Sequence, residues 1–185
     1  MGRLVYSAIC SLDGYVADEK GNFEWAAPDQ EVHAFVNDLE RDIGTYLYGR
    51  RMYEVMREWQ TMDVVEAPPF VQEYADIWRS SDKVVYSRSL EEVSTPHTRL
   101  ERDFDSAGVE LMKAGSAADL SVGGATLAAE AFRAGIVDDI HLFVVPHIVG
   151  GGTRALPNGV RRPLRLEGER RFANGTVHLH HRDAE

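Results

Sequence analysis

The chain has 185 residues, 20 Lys and Arg against 30 Asp and Glu, a formal net charge of -10, 44% hydrophobic and 27% charged residues. These figures describe a globular protein, expected as one domain over residues 1–185 that buries roughly 70% of its unfolded surface, and they argue against disorder. An acidic balance argues against a protein that coats nucleic acid or an anionic membrane, because that attraction needs a basic face; any phosphate group it binds must be met by a local basic cluster.

Cys10 is the only cysteine and sits in an apolar run, which excludes an intrachain disulfide framework or a cysteine-rich zinc site and fits a reducing compartment. Residues 1–10 are too short for a signal-peptide core with its cleavage site, and no window approaches the ~18 apolar residues of a membrane span, so a cytoplasmic location is expected.

Leu4 to Cys10 reads as a strand buried on both faces, ended by Ser11-Leu12-Asp13-Gly14. After a loop, Asp29 is the natural N-cap of a helix carrying Val32, Phe35, Val36, Leu39 and Ile43, with Gly44 as its stop. Thr45 to Tyr48 is β-rich and runs into Gly49-Arg50-Arg51, followed by Met52, Val55, Met56 and Trp59 at helical intervals. Pro68 and Pro69 break the chain before a helix with Phe70, Tyr74, Ile77 and Trp78, then a short strand Lys83 to Tyr86 and Ser87-Arg88. Phe104, Ala107, Gly108, Leu111 and Met112 form an amphipathic helix, and Glu91-Glu92, Glu101 and Asp103 a solvated face.

Leu120-Ser121-Val122 enters Gly123-Gly124, after which Ala125 to Ala134 is a helix closed by Gly135. Ile140 to Val145 is the most apolar strand and needs cover on both sides. In the tail, Asn174-Gly175 between extended segments signals a hairpin. Helices alternating with short apolar strands imply parallel pairing, and the terminal hairpin an antiparallel edge; the sheet should be α/β, mixed and mostly parallel.

Ligands of such sheets collect at the carboxyl ends of strands. Three segments end there. Gly49-Arg50-Arg51 joins a turn glycine, two guanidinium groups and helix-start amides suited to phosphate, or is a turn with two solvated arginines. Ser87-Arg88 adds a hydroxyl and a third guanidinium. Gly123-Gly124-Ala125-Thr126 either admits a pyrophosphate to the first-turn amides or is a tight strand-to-helix connection. Taken together the three point to an anion-binding rim. Gly150-Gly151-Gly152-Thr153 reads as a hinge between strands rather than a loop at the site.

His178 and His180 share a strand face while His181 points opposite, no carboxylate is suitably spaced, and the segment lies at the chain end, so no metal site is expected. Signatures of serine hydrolases, zinc proteases and P-loop kinases are absent.

Ser11-Leu12-Asp13-Gly14-Tyr15, Tyr48-Gly49-Arg50-Arg51-Met52-Tyr53, Ser121 to Leu127 and Gly150 to Thr153, in this order, resemble the reductase domain of the bifunctional riboflavin biosynthesis deaminase-reductase and its stand-alone dihydrofolate reductase-like relatives. The resemblance implies a dihydrofolate reductase-like, three-layer fold with about eight strands and NADPH across the carboxyl edge. By that resemblance Gly49, Arg50 and Arg51 hold the adenosine-side phosphate, and Ser87 and Arg88 flank the 2'-phosphate, favouring NADPH over NADH. Gly123 and Gly124, often joined by a cis peptide in the family, precede Ala125, Thr126 and Leu127, whose amides take the pyrophosphate. Ile9, Val16 and Ala17 border the nicotinamide.

The chain departs from the family in lacking the zinc deaminase ligands, which excludes deamination, and in having Met52 where folate reductases carry a hydroxyl. Their catalytic carboxylate has Asp29 as its nearest counterpart here, a proton donor or a helix cap, with His33 one turn later on the same face. Trp25 and Phe35 are an apolar wall for a planar acceptor or part of the core. The expected activity is reduction of a small pterin- or aminopyrimidine-like heterocycle by NADPH; the alternative is a nucleotide-binding or regulatory protein of the same fold without turnover. Family relatives tend to pair, so a homodimer is expected.

Overall fold

The structure is a computed structural model describing residues 1–184. In chain order it runs β1 (Leu4–Ser11), β2 (Tyr15–Ala17), a 3-10 turn (Glu24–Ala26), α1 (Gln30–Glu40), β3 (Ile43–Gly49), α2 (Arg50–Met56), α3 (Glu58–Thr61), α4 (Pro69–Ser80) and β4 (Asp82–Tyr86). It continues through β5 (Thr98–Glu101), α5 (Ser106–Gly115), β6 (Asp119–Gly123), α6 (Ala125–Ala134), β7 (Asp139–Val145), β8 (Thr153–Arg154), β9 (Leu164–Arg171) and β10 (Val177–Asp183).

An eight-stranded sheet has the order β5-β4-β3-β6-β1-β7-β10-β9. The first six pair in parallel, and β10 is antiparallel to both β7 and β9, as the helix-strand alternation and the Asn174-Gly175 turn require. Side chains alternate across the sheet. Leu4, Tyr6, Leu47, Val84, Leu120 and Val122 face one layer, with α5 and α6 supplying Val109, Ala128, Ala131 and Phe132. On the other face Tyr46, Tyr48 and Val85 pack with Tyr74 and Trp78 of α4, while Val32 and Phe35 of α1 meet Phe143 and Phe172. The three layers and mixed sheet are those expected.

Several local expectations shift. The helix after Asp29 ends at Glu40, so Ile43 and Gly44 belong to β3 and Gly44 is no helix stop. Ile43 repeats the helical spacing of Leu39, yet pairing of β3 with β6 claims it, and a side chain at Gly44 would stand 2.7 Å from Ala118 Cβ. The helix expected through Trp59 divides at Arg57 into α2 and α3. In α5, Leu111 is 75% exposed, and the buried positions are Val109 and Lys113. Lys113 can be inside because its ammonium group is met by Glu110, Asp138 and the Ile136 carbonyl. Strands β2, β5 and β8 are too short or too polar to show an apolar run. Glu101 and Asp103 are exposed as expected, Glu101 on edge strand β5.

No helix among the described residues is long and apolar enough to cross a membrane. Val109→Ala is expected to cost roughly 2 kcal/mol, the lost methyls plus their cavity, while Leu111→Ala stays within about 0.5 kcal/mol; urea unfolding of both variants distinguishes this burial pattern from the reverse.

Candidate functional site

Parallel registry brings the predicted rim together. Tyr48 pairs with Gly123, Gly49 with Tyr86, and Tyr86 with Glu101, so β3, β4, β5 and β6 end side by side. Gly49 caps α2, and Arg50 reaches from its first turn to the loop after β4, donating through one guanidinium nitrogen to Ser89 Oγ at 3.0 Å and through Nε to Glu54 at 2.7 Å. Arg51 is exposed and has no hydrogen-bond or ion-pair partner among the described residues. Ser87 is buried and its hydroxyl accepts from the Ser89 and Leu90 amides, while Arg88 is exposed and paired with Asp103. Sequence reasoning missed Arg102, which donates to the carbonyls of Ser87 and Leu90 and so shapes this turn. It lies just past a strand that has no apolar run to announce it.

Gly123 and Gly124 are glycines for steric reasons. A Cβ on Gly123 would meet the Tyr48 ring at 2.6 Å, and Gly124 lies at φ 90° with Met52 close by. The Gly123–Gly124 peptide is trans, unlike the cis bond common in the family; no described peptide is cis. Gly124 caps α6 without a side chain, and α6 has no acidic residue in its first turn. The amides at its start therefore face the rim with the helix dipole behind them. Met52 packs against both glycines and contributes no hydrogen bond there.

β6 and β7, joined through α6, flank β1. In the crevice beyond β1 and β7 lies a cavity of about 280 Å³, walled by Ile9, Val145, Pro146 and His147, by Trp25 to Pro28, by Val32, and by Asn174 and Thr176 of the hairpin turn. Trp25 stacks on His147 with ring centroids 5.4 Å apart and planes 4° from parallel, and its buried indole Nε1 has no hydrogen-bond partner. Of the expected substrate residues only Trp25 lines this cavity. Phe35 is half-buried: it packs on Phe143, Phe172 and His178 and borders, with Asp29 and Arg170, a separate open groove instead of this cavity. His33 turns toward α4, against Trp59, Phe70 and Tyr74, and bonds Asn37; burial pulls its pKa down. Asp29 is exposed and accepts from the Val32 amide at 3.0 Å, the capping role, so its carboxylate is not a buried acid and does not line the cavity. Asp29 and His33 thus look in different directions because the cap lies outside the helical repeat.

A second feature joins the loops. Asp13 receives the amides of Val149 (3.1 Å) and Gly150 (2.7 Å), and Leu12 N donates to His147 O. The Ser11 hydroxyl above all, then these amides, hold the Asp13 carboxyl down at about 2. Val16 and Ala17 lie in β2, which pairs with β8; Gly152 must be glycine, since a Cβ would stand 2.1 Å from Ala17 O at φ 127°. The Gly150–Gly152 run thus links β7 to β8 and braces the loop bearing Val16 and Ala17. Asp13, His147, Asn174 and Thr176 escaped sequence reasoning; only the Ser-Leu-Asp-Gly turn marks the first of them.

This is a dihydrofolate reductase-like fold. Residues 3–178 match the RibD C-terminal domain, and the chain belongs to that family. An uncharacterized Bacillus subtilis protein, YyaP, is 25% identical over 179 residues, covering 96% of this chain and 93% of that protein. A putative riboflavin biosynthesis protein from Shewanella sp. PV-4 superposes with a TM-score of 0.77 at 16% identity over 99% of both chains. Dihydrofolate reductase from Enterococcus faecalis, complexed with NADP(H), gives 0.67 at 11% identity over 100% of this chain and 98% of that one.

Two outcomes test the geometry. Gly123→Ala should destabilise by roughly 1–3 kcal/mol through overpacking on Tyr48, whereas Gly49→Ala, whose Cβ would lie 3.7 Å from Leu127 Cβ at ordinary contact, should stay near wild type in thermal unfolding. Because the folded Asp13 pKa of about 2 lies below the unfolded value of roughly 3.9, its stabilisation is present above that unfolded value and is lost as pH falls through about 2. Asp13→Asn should flatten the dependence of unfolding free energy on pH in that window.

Proposed function

We propose that this chain is a single-domain NADPH-dependent reductase of a small, planar, pterin- or aminopyrimidine-like heterocycle. The observation that carries the reading is the convergence, on one carboxyl rim beside a cavity with mixed walls, of the glycine-opened start of α6 with Arg50, Arg51 and Arg88. Family membership and the NADP(H) complex of a structural relative support the cofactor.

The amides of Gly124, Ala125, Thr126 and Leu127 suit a pyrophosphate, and Arg50 and Arg51 beside Gly49 suit the adenosine-side phosphate. Ser87 and Arg88 suit the 2'-phosphate. The ion pairs now holding Arg50 and Arg88 are exposed, so each is worth no more than about 1 kcal/mol and yields readily to a phosphate. Ile9, which lines the cavity, and Val16 and Ala17, on the braced loop that follows β1, are the residues assigned to border the nicotinamide. When bound, the dinucleotide supplies a hydride. The chain's task is to seat the acceptor against Trp25 and to supply a proton. His147 is the titratable side chain among the residues lining the cavity, and it takes the proton-donor role expected of Asp29. The absence of a carboxylate from the cavity wall favours a second reading, a dinucleotide-binding protein without turnover. A cytoplasmic homodimer completes the proposal.

NADPH should raise the melting temperature by several degrees at a hundredfold excess over its Kd, equivalent to about 2.7 kcal/mol, with NADH far less effective; equal shifts overturn the cofactor assignment. In a screen of pterins and aminopyrimidines, His147→Gln should lower kcat by about a hundredfold. Asp29→Ala should cost about 1 kcal/mol of stability and leave kcat unchanged. Tight NADPH binding without oxidation of any acceptor would favour the second reading. Light scattering on the same sample should give twice the chain mass.

A further inference from the structure

The tail histidines meet in the fold the carboxylate that their own segment lacks. The antiparallel register of β7 and β10 sets His180 opposite His141 and Arg182 opposite Asp139, so these side chains rise on one face of the sheet. Asp139, His141 and His180 each offer one ligand atom, and those atoms lie within 4.8 Å of one another. Asp139 is 3% exposed, yet its Oδ2 makes no hydrogen bond. Among the described residues its one charged neighbour is Arg3 at 3.5 Å, an ion pair too long for a hydrogen bond, so a lone pair on this oxygen is left without a donor. His141 is also buried, and its Nδ1 lies 2.9 Å from His178 Nε2; such a contact fixes the ring and leaves Nε2 as the nitrogen able to ligate.

We infer that Asp139, His141 and His180 form a binding site for a divalent cation of the Zn²⁺ class, contrary to the expectation of no metal. Two imidazoles and a carboxylate are a donor set suited to zinc and its transition-metal neighbours. Zinc bonds of about 2.1 Å in tetrahedral array place ligand atoms roughly 3.4 Å apart. His180 Nε2 and Asp139 Oδ1, now 2.6 Å apart, must therefore open while the wider separations close. The ion takes the place of the proton between these two atoms: in the neutral imidazole that proton moves to His180 Nδ1, and from the imidazolium it leaves to solvent.

Two guanidinium groups oppose the cation: Arg182 Nε bonds Oδ1 at 2.6 Å, and Arg3 stands 3.5 Å from Oδ2. They keep the affinity below that of a structural zinc site. Asp139 begins β7 and Val145, on the cavity wall, ends it, so the metal site is independent of the proposed reductase site.

The test is isothermal titration of the untagged chain with ZnCl₂ in the absence of nucleotide. One saturable equivalent is expected. It should be lost in His180→Gln, a partly exposed position at which the fold survives, and in His141→Gln where that variant folds. Arg3→Gln should tighten binding severalfold, because it removes an opposing charge; zinc caught by scattered surface histidines would not respond. Absence of a saturable equivalent, or a binding curve unchanged in His180→Gln, overturns the site, and neither result bears on NADPH binding.

Discussion

The ring of Tyr48 occupies the space that a side chain at position 123 would need, and the architecture of the rim follows from that exchange. Tyr48 is fully packed in the α4 layer and accepts a hydrogen bond from the Trp78 indole, so it cannot give way. Position 123 must then be glycine, the next residue must turn at positive φ under Met52, and α6 begins without a side-chain cap. A core demand on one face of the sheet thus leaves a helix start with its amides unclaimed on the edge. The packing of the core and the open helix start have the same cause here.

Placement of charge follows a similar economy. A chain with net charge -10 repels anions at long range, so a phosphate ligand must find its cations locally. Arg50 and Arg88 are each held beside an acidic partner, Glu54 and Asp103, in exposed pairs that cost little to exchange. The carboxylates keep the arginines extended over the rim and moderate the self-repulsion of a basic cluster. Arg102 acts differently. By donating to two carbonyls of the Ser87–Leu90 turn it holds backbone, and the shape of that turn decides where Ser87 and Arg88 stand.

Elements with a strong period were legible in the sequence, and so were the rim segments. The strand expected over Leu4 to Cys10, which runs one residue further to Ser11, α6 with its Gly135 stop, and the Asn174-Gly175 hairpin form because local pattern and tertiary role coincide. Where they conflict, the sheet prevails. Ile43 continues a helical repeat but is taken by β3, and Leu111 satisfies an amphipathic pattern while Val109 and Lys113 hold the inward face. The cavity was less legible, since its walls come from β1 and the 3-10 turn on one side and β7 and the hairpin on the other, and more than a hundred residues separate the two pairs. His147 and Asn174 carry no local sign that they meet Trp25. The carboxylate beside His180 was invisible for the same reason: cross-strand register, not spacing along the chain, brings Asp139 there.

Two carboxylates show how the fold divides labour between its edge and its core. Asp13, at the loop edge, is surrounded by donors that favour the charged form, and it ties the turn after β1 to the segment after β7. Glu40, at the end of α1, is buried against the tyrosine layer of Tyr46, Tyr48 and Tyr74. Desolvation pushes its pKa up to about 7, which the neighbouring Tyr46 hydroxyl only partly offsets, and Oε2 makes no hydrogen bond. A raised folded pKa contributes stability below the unfolded value of about 4.3, and that contribution is lost as pH rises through about 7. The loop tie therefore strengthens over the acid range in which the Glu40 contribution is at its greatest. Near neutrality the edge is held by full charge while the core carries a carboxyl close to its titration point. The cavity lies at the held edge, where a braced loop and a stacked Trp25–His147 pair keep its walls in place.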